Sequence, residues 1–359
     1  MKRFLAIALI LCATHATADT YRWAGMDSAL NKTTDDDWAD GLNWSNVTSS
    51  TYNDGFPDGA GDVAQFNQTN VSPNQAGWLD LEQSITLGIW TNMASDPYSF
   101  IQGIDTANGS TITMDNNGSG AVITYPNAAY NDGQNDREWS FTVELILADD
   151  LLFYWNSGLQ REIKTKISGT GDMTWKWRKG SSGGYRFSIE NSGQSNTYSG
   201  NTYWTNAAGV GGASIKRLRN DGAIPAGDVV MRGVLQYLEI MSSGGAEDRI
   251  DDACSVYLIS SGSTYTYITL NSGVTETINK LYWNGVSVPA GTWGNSASAA
   301  ANMNNNWFKN SGVLTVLADD WANLVVGMTN WVNVGGYTNY QAGGVFVSAG
   351  GDTNYWSGL

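Results

Sequence analysis

Histidine is nearly missing from this chain of 359 residues: the only one, His15, stands within the first 18. Met1–Lys2–Arg3 is a short positive start and Phe4 to Ala13 an apolar run. Ala16–Thr17–Ala18 supplies the small-x-small site that signal peptidase cuts. Residues 1–18 therefore read as a signal peptide, too short to anchor as a spanning helix, with Asp19 the first residue after it. What is exported has no histidine for a Ser–His–Asp triad, a Cys–His dyad or a histidine-ligated metal. Cysteine is equally scarce. Cys12 leaves with the leader, and Leu11 before it is not the small residue that lipoprotein processing wants. Cys254 then stands alone, which excludes an internal disulfide. Positive charge is short as well, with 19 Lys and Arg against 34 Asp and Glu. The net charge is −15, and loss of Lys2 and Arg3 takes it near −17. Nucleic acid and anionic membrane surfaces both demand a basic face, so neither is expected as a partner. No hydrophobic anchor and no membrane barrel pattern follow the leader.

Helical periodicity is also lacking. The best short-helix candidate, Ser296 to Phe308 with Ala297, Ala299, Ala300, Ala301 and Met303, carries an Asn cluster that argues against it. Strand signals run through the chain instead. Met173, Trp175 and Trp177 alternate with Thr174, Lys176 and Arg178, giving one aromatic and one basic face. Phe141, Val143, Leu145 and Leu147 alternate with Thr142, Glu144 and Ile146, and Tyr265, Tyr267 and Thr269 with Thr266, Ile268 and Leu270. Forty-two glycines and runs such as Gly180–Ser181–Ser182–Gly183–Gly184 supply the turns. An aromatic content of 12% is enough to bury a large core, which excludes disorder. The fold class expected is all-β.

A loose repeat bears on the architecture. Gly171–Asp172–Met173–Thr174–Trp175, Gly233–Val234–Leu235–Gln236–Tyr237 and Gly312–Val313–Leu314–Thr315–Val316 share the form Gly-x-apolar-x-apolar. A short strand after a corner glycine is what one rung of a parallel β-helix requires. The separations are unequal, so this would be a solenoid with irregular insertions; unrelated strands of a sandwich are the alternative. At roughly 20–30 residues per coil and about 4.8 Å per rung, around ten rungs would make a rod roughly 50 Å long.

Three stretches carry a resemblance. Trp23 and Trp38 precede Asp40–Gly41–Leu42–Asn43–Trp44, followed by Phe56–Pro57–Asp58–Gly59–Ala60–Gly61–Asp62–Val63–Ala64–Gln65–Phe66. Ser168–Gly169–Thr170–Gly171–Asp172 leads to Asn196–Thr197–Tyr198–Ser199–Gly200, and Ile224–Pro225–Ala226–Gly227–Asp228 to Gly233. The last runs from Leu270–Asn271–Ser272–Gly273 through Leu281–Tyr282–Trp283–Asn284–Gly285 to Trp307–Phe308 and Gly312. Together they resemble the autotransporter-associated β-strand repeat proteins, which are secreted or surface chains. The resemblance implies a right-handed parallel β-helix with end caps and no established catalytic residues. It divides the chain into a signal peptide (1–18), a Trp-rich N-terminal cap (19–66), the β-helix (67–317) and a C-terminal β extension or cap (318–359). Residues 67–165 show little of the repeat tag.

Few constellations point to chemistry. Trp175–Lys176–Trp177–Arg178–Lys179 is the strongest basic-aromatic cluster in an acidic chain, and the candidate grip for an anionic polysaccharide. Lys216–Arg217–Leu218–Arg219 is the second; the plainer reading of both is a surface strand whose cations offset carboxylates. In β-helix lyases a Lys or Arg takes the proton beside a uronate while calcium neutralises the acid, so that chemistry needs no histidine. Asp35, Asp37 and Asp40 are weak candidates for calcium, and otherwise shape loops. No other cofactor is implied. Asp149–Asp150, Glu247–Asp248 with Asp251–Asp252, and Asp319–Asp320 are the carboxylate pairs, all in turn-like settings poorly suited to glycoside hydrolysis. Cys254 reads as a small buried hydrophobe. The sequence thus leads to an exported, non-enzymatic β-solenoid at the cell surface or beyond it, structural or adhesive. A carbohydrate-binding protein or lyase, and a fibre subunit stacking end to end, are its rivals.

Overall fold

The structure, a computed structural model, describes residues 18–23, 37–52, 55–66, 78–92, 103–105, 109–125, 139–155, 161–177, 185–189, 194–206, 214–233, 236–242, 248–260 and 266–320. It also describes four strands between residues 331 and 357. Among these residues there is no α-helix, and the sheets are long and mostly parallel. The chain visits three sheets in turn. Val63–Phe66, Trp78–Asp80 and Ile85–Leu87 belong to a first, second and third sheet, and Ile89–Asn92, Gly103–Asp105 and Thr111–Met114 stack on them in the same order. The first sheet has 13 strands and the second nine. Register partners in the first sheet lie 22 residues apart between Leu151 and Met173, and 33 apart between Ile89 and Val122. The insertions therefore vary while the strands keep step.

Strand alternation accounts for the core. In the first sheet Ala64, Trp90, Ile123, Phe153, Trp175, Trp204, Met231, Leu258 and Trp283 follow one another in register, all buried. Side chains at every second position point to the same side, so one column of the interior is filled from nine turns of chain. The described strands between residues 67 and 165, a stretch poor in the repeat tag, stack like the rest. Parallel pairing also reaches back into the expected cap, where Thr20–Trp23 pairs with Val63–Phe66.

The three Gly-x-apolar tags prove to occupy three different places in the coil. Met173–Trp177 lies in the first sheet, Gln236–Ile240 in the second, and Val313–Val316 pairs with Thr275–Ile278 on the third face. That is why their spacings matched no coil length. Phe141 to Leu147 also divides: Trp139–Phe141 belongs to the second sheet and Glu144–Leu147 to the third, with Val143 buried at the bend. Ser296 to Phe308 forms turns and two-residue strands; the Asn295, Asn304 and Asn305 side chains accept the N–H groups of Ala297, Asn306 and Ser296.

Side chains fix the corners. At the corner before the first sheet, Asp150 Oδ1 accepts the N–H of Asp172, Asp172 Oδ1 that of Asn201, and Asn201 Oδ1 that of Asp228, at 2.7–2.9 Å. Gly171 and Gly200 precede two of these residues. A Cβ on Gly200 would collide with the Gly171 carbonyl, so successive turns touch there through bare backbone. On the third face Asn196 replaces a strand residue: its Oδ1 accepts the Ile167 N–H and its Nδ2 donates to the Ala223 carbonyl, both at 2.8 Å. Tyr198 in the same motif is buried, its hydroxyl 2.7 Å from that of Thr202.

Both ends of the first sheet finish in short antiparallel strands, Trp44–Asn46 with Thr51–Tyr52 at one end and Val286–Ser287 at the other. Short reversed strands blunt an edge that would otherwise template further pairing. Trp23, Trp38, Trp44, Phe66 and Trp90 form an aromatic cluster behind the first end, with Trp38 stacked on Trp90 at 5.4 Å. Trp38 Nε1 donates to the Pro57 carbonyl and Trp44 Nε1 to that of Trp38. Truncating the fully buried Trp44 to Ala should cost about 3–5 kcal/mol. Denaturant unfolding measures it; an unchanged midpoint would show that the ring contributes no packing.

Candidate functional site

The outer flank of the first sheet is described for only part of the expected basic cluster. Lys176 is exposed on it, whereas Trp175 is 6% exposed and stacks on Phe153 with ring centroids 3.6 Å apart. Alternation that sends the aromatic face inward takes Trp175 away from any ligand on the flank. The Trp177 side chain, Arg178 and Lys179 lie outside the described residues. Arg232 joins Lys176 instead, in one outward column through Thr205, two strands and about 10 Å away. The signal was present in Val229–Val230–Met231–Arg232, whose alternation matches Met173–Thr174–Trp175–Lys176 position for position.

The second basic run is split by its own strand, Ser214–Leu218. Lys216 points into the core, aligned with Leu238, and is 2% exposed; burial lowers its pKa to about 7. Arg217, facing the other way, gives its Nε to Glu239 Oε2 at 2.7 Å. The run is thus not a continuous surface patch. An apolar neighbour on either side would have announced a buried lysine only if the frame of the strand were known.

Carboxylates put forward for chemistry are engaged with backbone. Asp149 Oδ2 accepts the N–H groups of Asn116 and Gly118, Asp319 Oδ2 that of Ala290, and Asp251 Oδ1 that of Ala253. Asp320 Oδ1 accepts Lys280 Nζ and the Tyr282 hydroxyl. Asp37 and Asp40 accept the N–H groups of Ala39 and Leu42, Asp40 thereby capping a short 3₁₀ turn at Gly41–Asn43; Asp35 and Glu247 lie outside the described residues. Among the described residues no group of three or more His, Cys, Asp or Glu side chains is placed to share a metal ion. Cys254 is buried, and burial with nearby Asp251, Asp228 and Asp248 pushes its thiol up to about 12. A thiol held protonated is a poor nucleophile.

The most concentrated buried polar group lies on the third face. Arg249, 0% exposed, donates Nη2 and Nε to the Met241 carbonyl and Nη1 to Asp221. Glu276, also 0% exposed, accepts the Arg249 N–H on Oε2 and the Ile250 N–H on Oε1. Its carboxyl group stands where a neighbouring strand would offer carbonyls. Burial pushes its pKa up to about 8 against the two N–H bonds.

At the far end of the first sheet, Trp283, Trp293 and Trp307 line an open cleft of about 410 Å³ with Asn284, Val286, Ser287, Val288 and Pro289. Asn284, at φ 49°, and Gly285, at φ 82°, form the tight turn that folds Val286–Ser287 back over Lys280–Trp283. The hairpin signal Asn-Gly was legible in the sequence; that its far side faces two more tryptophans was not. Among the described residues no helix is long and apolar enough to cross a membrane. No family model, curated protein or solved structure matches the chain.

The Glu276 carboxyl generates a pH dependence. Its native pKa of about 8 exceeds the ordinary 4.5, so between these values the unfolded chain is ionised where the folded one holds a proton. Stability from this group is full below pH 4.5 and falls as pH rises to about 8. Glu276→Gln should flatten that fall. It should also cost about 1–3 kcal/mol at pH 5, because one backbone N–H loses its acceptor. Denaturant unfolding at pH 5 and pH 8 reads both; an unaltered slope would contradict the assignment.

Proposed function

We propose that this chain is an exported, right-handed parallel β-helix that acts without catalysis, as a structural or surface-interaction element in adhesion or an extracellular matrix. The observation that carries the reading is the corner ladder of Asp150, Asp172, Asn201 and Asp228. It gives the acidic residues an architectural use, joining turn to turn. Right-handedness rests on the strong chirality of crossovers between parallel strands of one sheet. Export rests on the leader pattern of residues 1–18, and a surface role on the resemblance to the autotransporter-associated repeat proteins. Fold alone assigns no ligand.

One observation favours a second reading, binding of an anionic polysaccharide along the flank: Lys176 and Arg232 share an exposed column of an acidic molecule. The purified chain should be incubated with anionic and neutral polysaccharides, with and without calcium, reading both binding and the unsaturated product of a lyase. Product formation would overturn the non-catalytic reading. For the flank, retention on an anionic polysaccharide column should fall with added salt, because the contact is screened. Lys176→Glu with Arg232→Glu should abolish it. Retention that survives both the reversal and high salt would remove the flank as the contact.

A further inference from the structure

Tryptophan is used in opposite ways at the two ends of the first sheet. Trp23, Trp38, Trp44 and Trp90 at one end are each 4% exposed or less, closed against one another and Phe66. At the other end Trp283 is buried to 6%, but Trp293 and Trp307 are partly exposed around the open cleft. A cluster needed only to fill a core would close as the first one does. The second is held open by its own contacts. Trp283 and Trp307 stack at 4.3 Å and 9°, and Trp293 is held by its Nε1, which donates to the Pro289 carbonyl at 2.8 Å. Trp293 is tilted 32° from Trp307, with centroids 6.3 Å apart, so the two do not close on each other as a stacked pair.

Charge selects the ligand. All eight lining residues are uncharged, in a chain of net charge −15. A charged ligand would lose hydration there without meeting a counter-charge, and an anion would also be repelled at long range. The rim is not wholly apolar: Asn284 is exposed, and its Oδ1 accepts the Ser260 N–H, leaving the amide N–H₂ as a donor. A flat aromatic face beside a polar donor matches a ring with one C–H face and hydroxyls around its edge. The volume lies within the roughly 300–1,000 Å³ of small-molecule sites. We propose that this cleft binds an uncharged glycan, seating the C–H face of a pyranose on Trp293 with Asn284 bonding a ring hydroxyl. This contact is separate from the charged flank and does not depend on it.

The test uses the full chain in native gels containing neutral polysaccharides (a β-glucan, a xylan, a mannan), with alginate as the anionic comparison. Tryptophan fluorescence titrations with the matching neutral oligosaccharides accompany it. At least one neutral glycan should retard the protein equally at low and high salt. Trp293→Ala should weaken that binding at least about tenfold. Trp293→Phe, which keeps an aromatic face, should restore part of it and guards against a folding defect. Lys176→Glu with Arg232→Glu should leave neutral-glycan retardation unchanged, which separates this proposal from the flank reading. No retardation by any neutral glycan, or equal retardation of Trp293→Ala, would overturn it. Fluorescence changes produced by an apolar peptide and by no sugar would likewise overturn it, and give the cleft to an apolar partner.

Discussion

Each turn of this chain depends on its neighbours for hydrogen bonds. A strand in a parallel sheet finds partners for its N–H and carbonyl groups only on the strands beside it, and buried backbone groups cannot go unpaired. The three stacked sheets satisfy this along the strands. The difficulty lies at the corners, where strand geometry fails, and there side chains take over. Asp172 and Asn201 accept a backbone N–H from the next turn, Asn196 bridges two turns at once, and the Glu276 carboxyl oxygens receive two N–H groups. Substituting such residues removes a connection between turns that the backbone has no means to replace.

This constraint explains the composition. Short polar side chains that accept from nearby backbone must stand at corners, which accounts for much of the Asp and Asn. Glycine must stand where two corners touch, as at Gly171 and Gly200. Few charges face the interior among the described residues, and Arg249 is held there by Asp221 and the Met241 carbonyl. Outward columns are freer, and Lys176 and Arg232 could vary without disturbing a rung. Sites for partners therefore belong on the flanks and at the ends, where no rung depends on the residue.

The all-β class was legible because alternation and turn residues are local signals. Met173–Thr174–Trp175–Lys176 shows its two faces directly, and burial follows them. Leu281–Tyr282–Trp283–Asn284–Gly285 shows both the strand and its hairpin turn. What was not legible depends on which turn lies above which. The three Gly-x-apolar tags look equivalent in sequence and fall on different sheets, since the spacing of register partners varies, from 22 residues at Leu151–Met173 to 43 at Thr20–Val63, and hides the register. Lys216 looked like surface because three of four residues in its run are basic; its strand frame, set by pairing with Gln236–Ile240, turns it inward. The cleft was missed for the same reason. Trp283, Trp293 and Trp307 are 24 residues apart in sequence and meet only when the last turns close.

Register between successive turns is the claim on which the rest stands, and engineered disulfides test it most directly. Lys176 and Thr205 are register partners on the outer face of the first sheet, while Arg232 lies one strand further on. Neighbouring strands stand about 4.8 Å apart, within the Cα separation of about 4.4–6.8 Å that a disulfide spans. Oxidation of the double variant Lys176→Cys, Thr205→Cys should therefore close a cross-link that Lys176→Cys, Arg232→Cys does not form. Closure in the second variant but not the first would contradict the stacking described above.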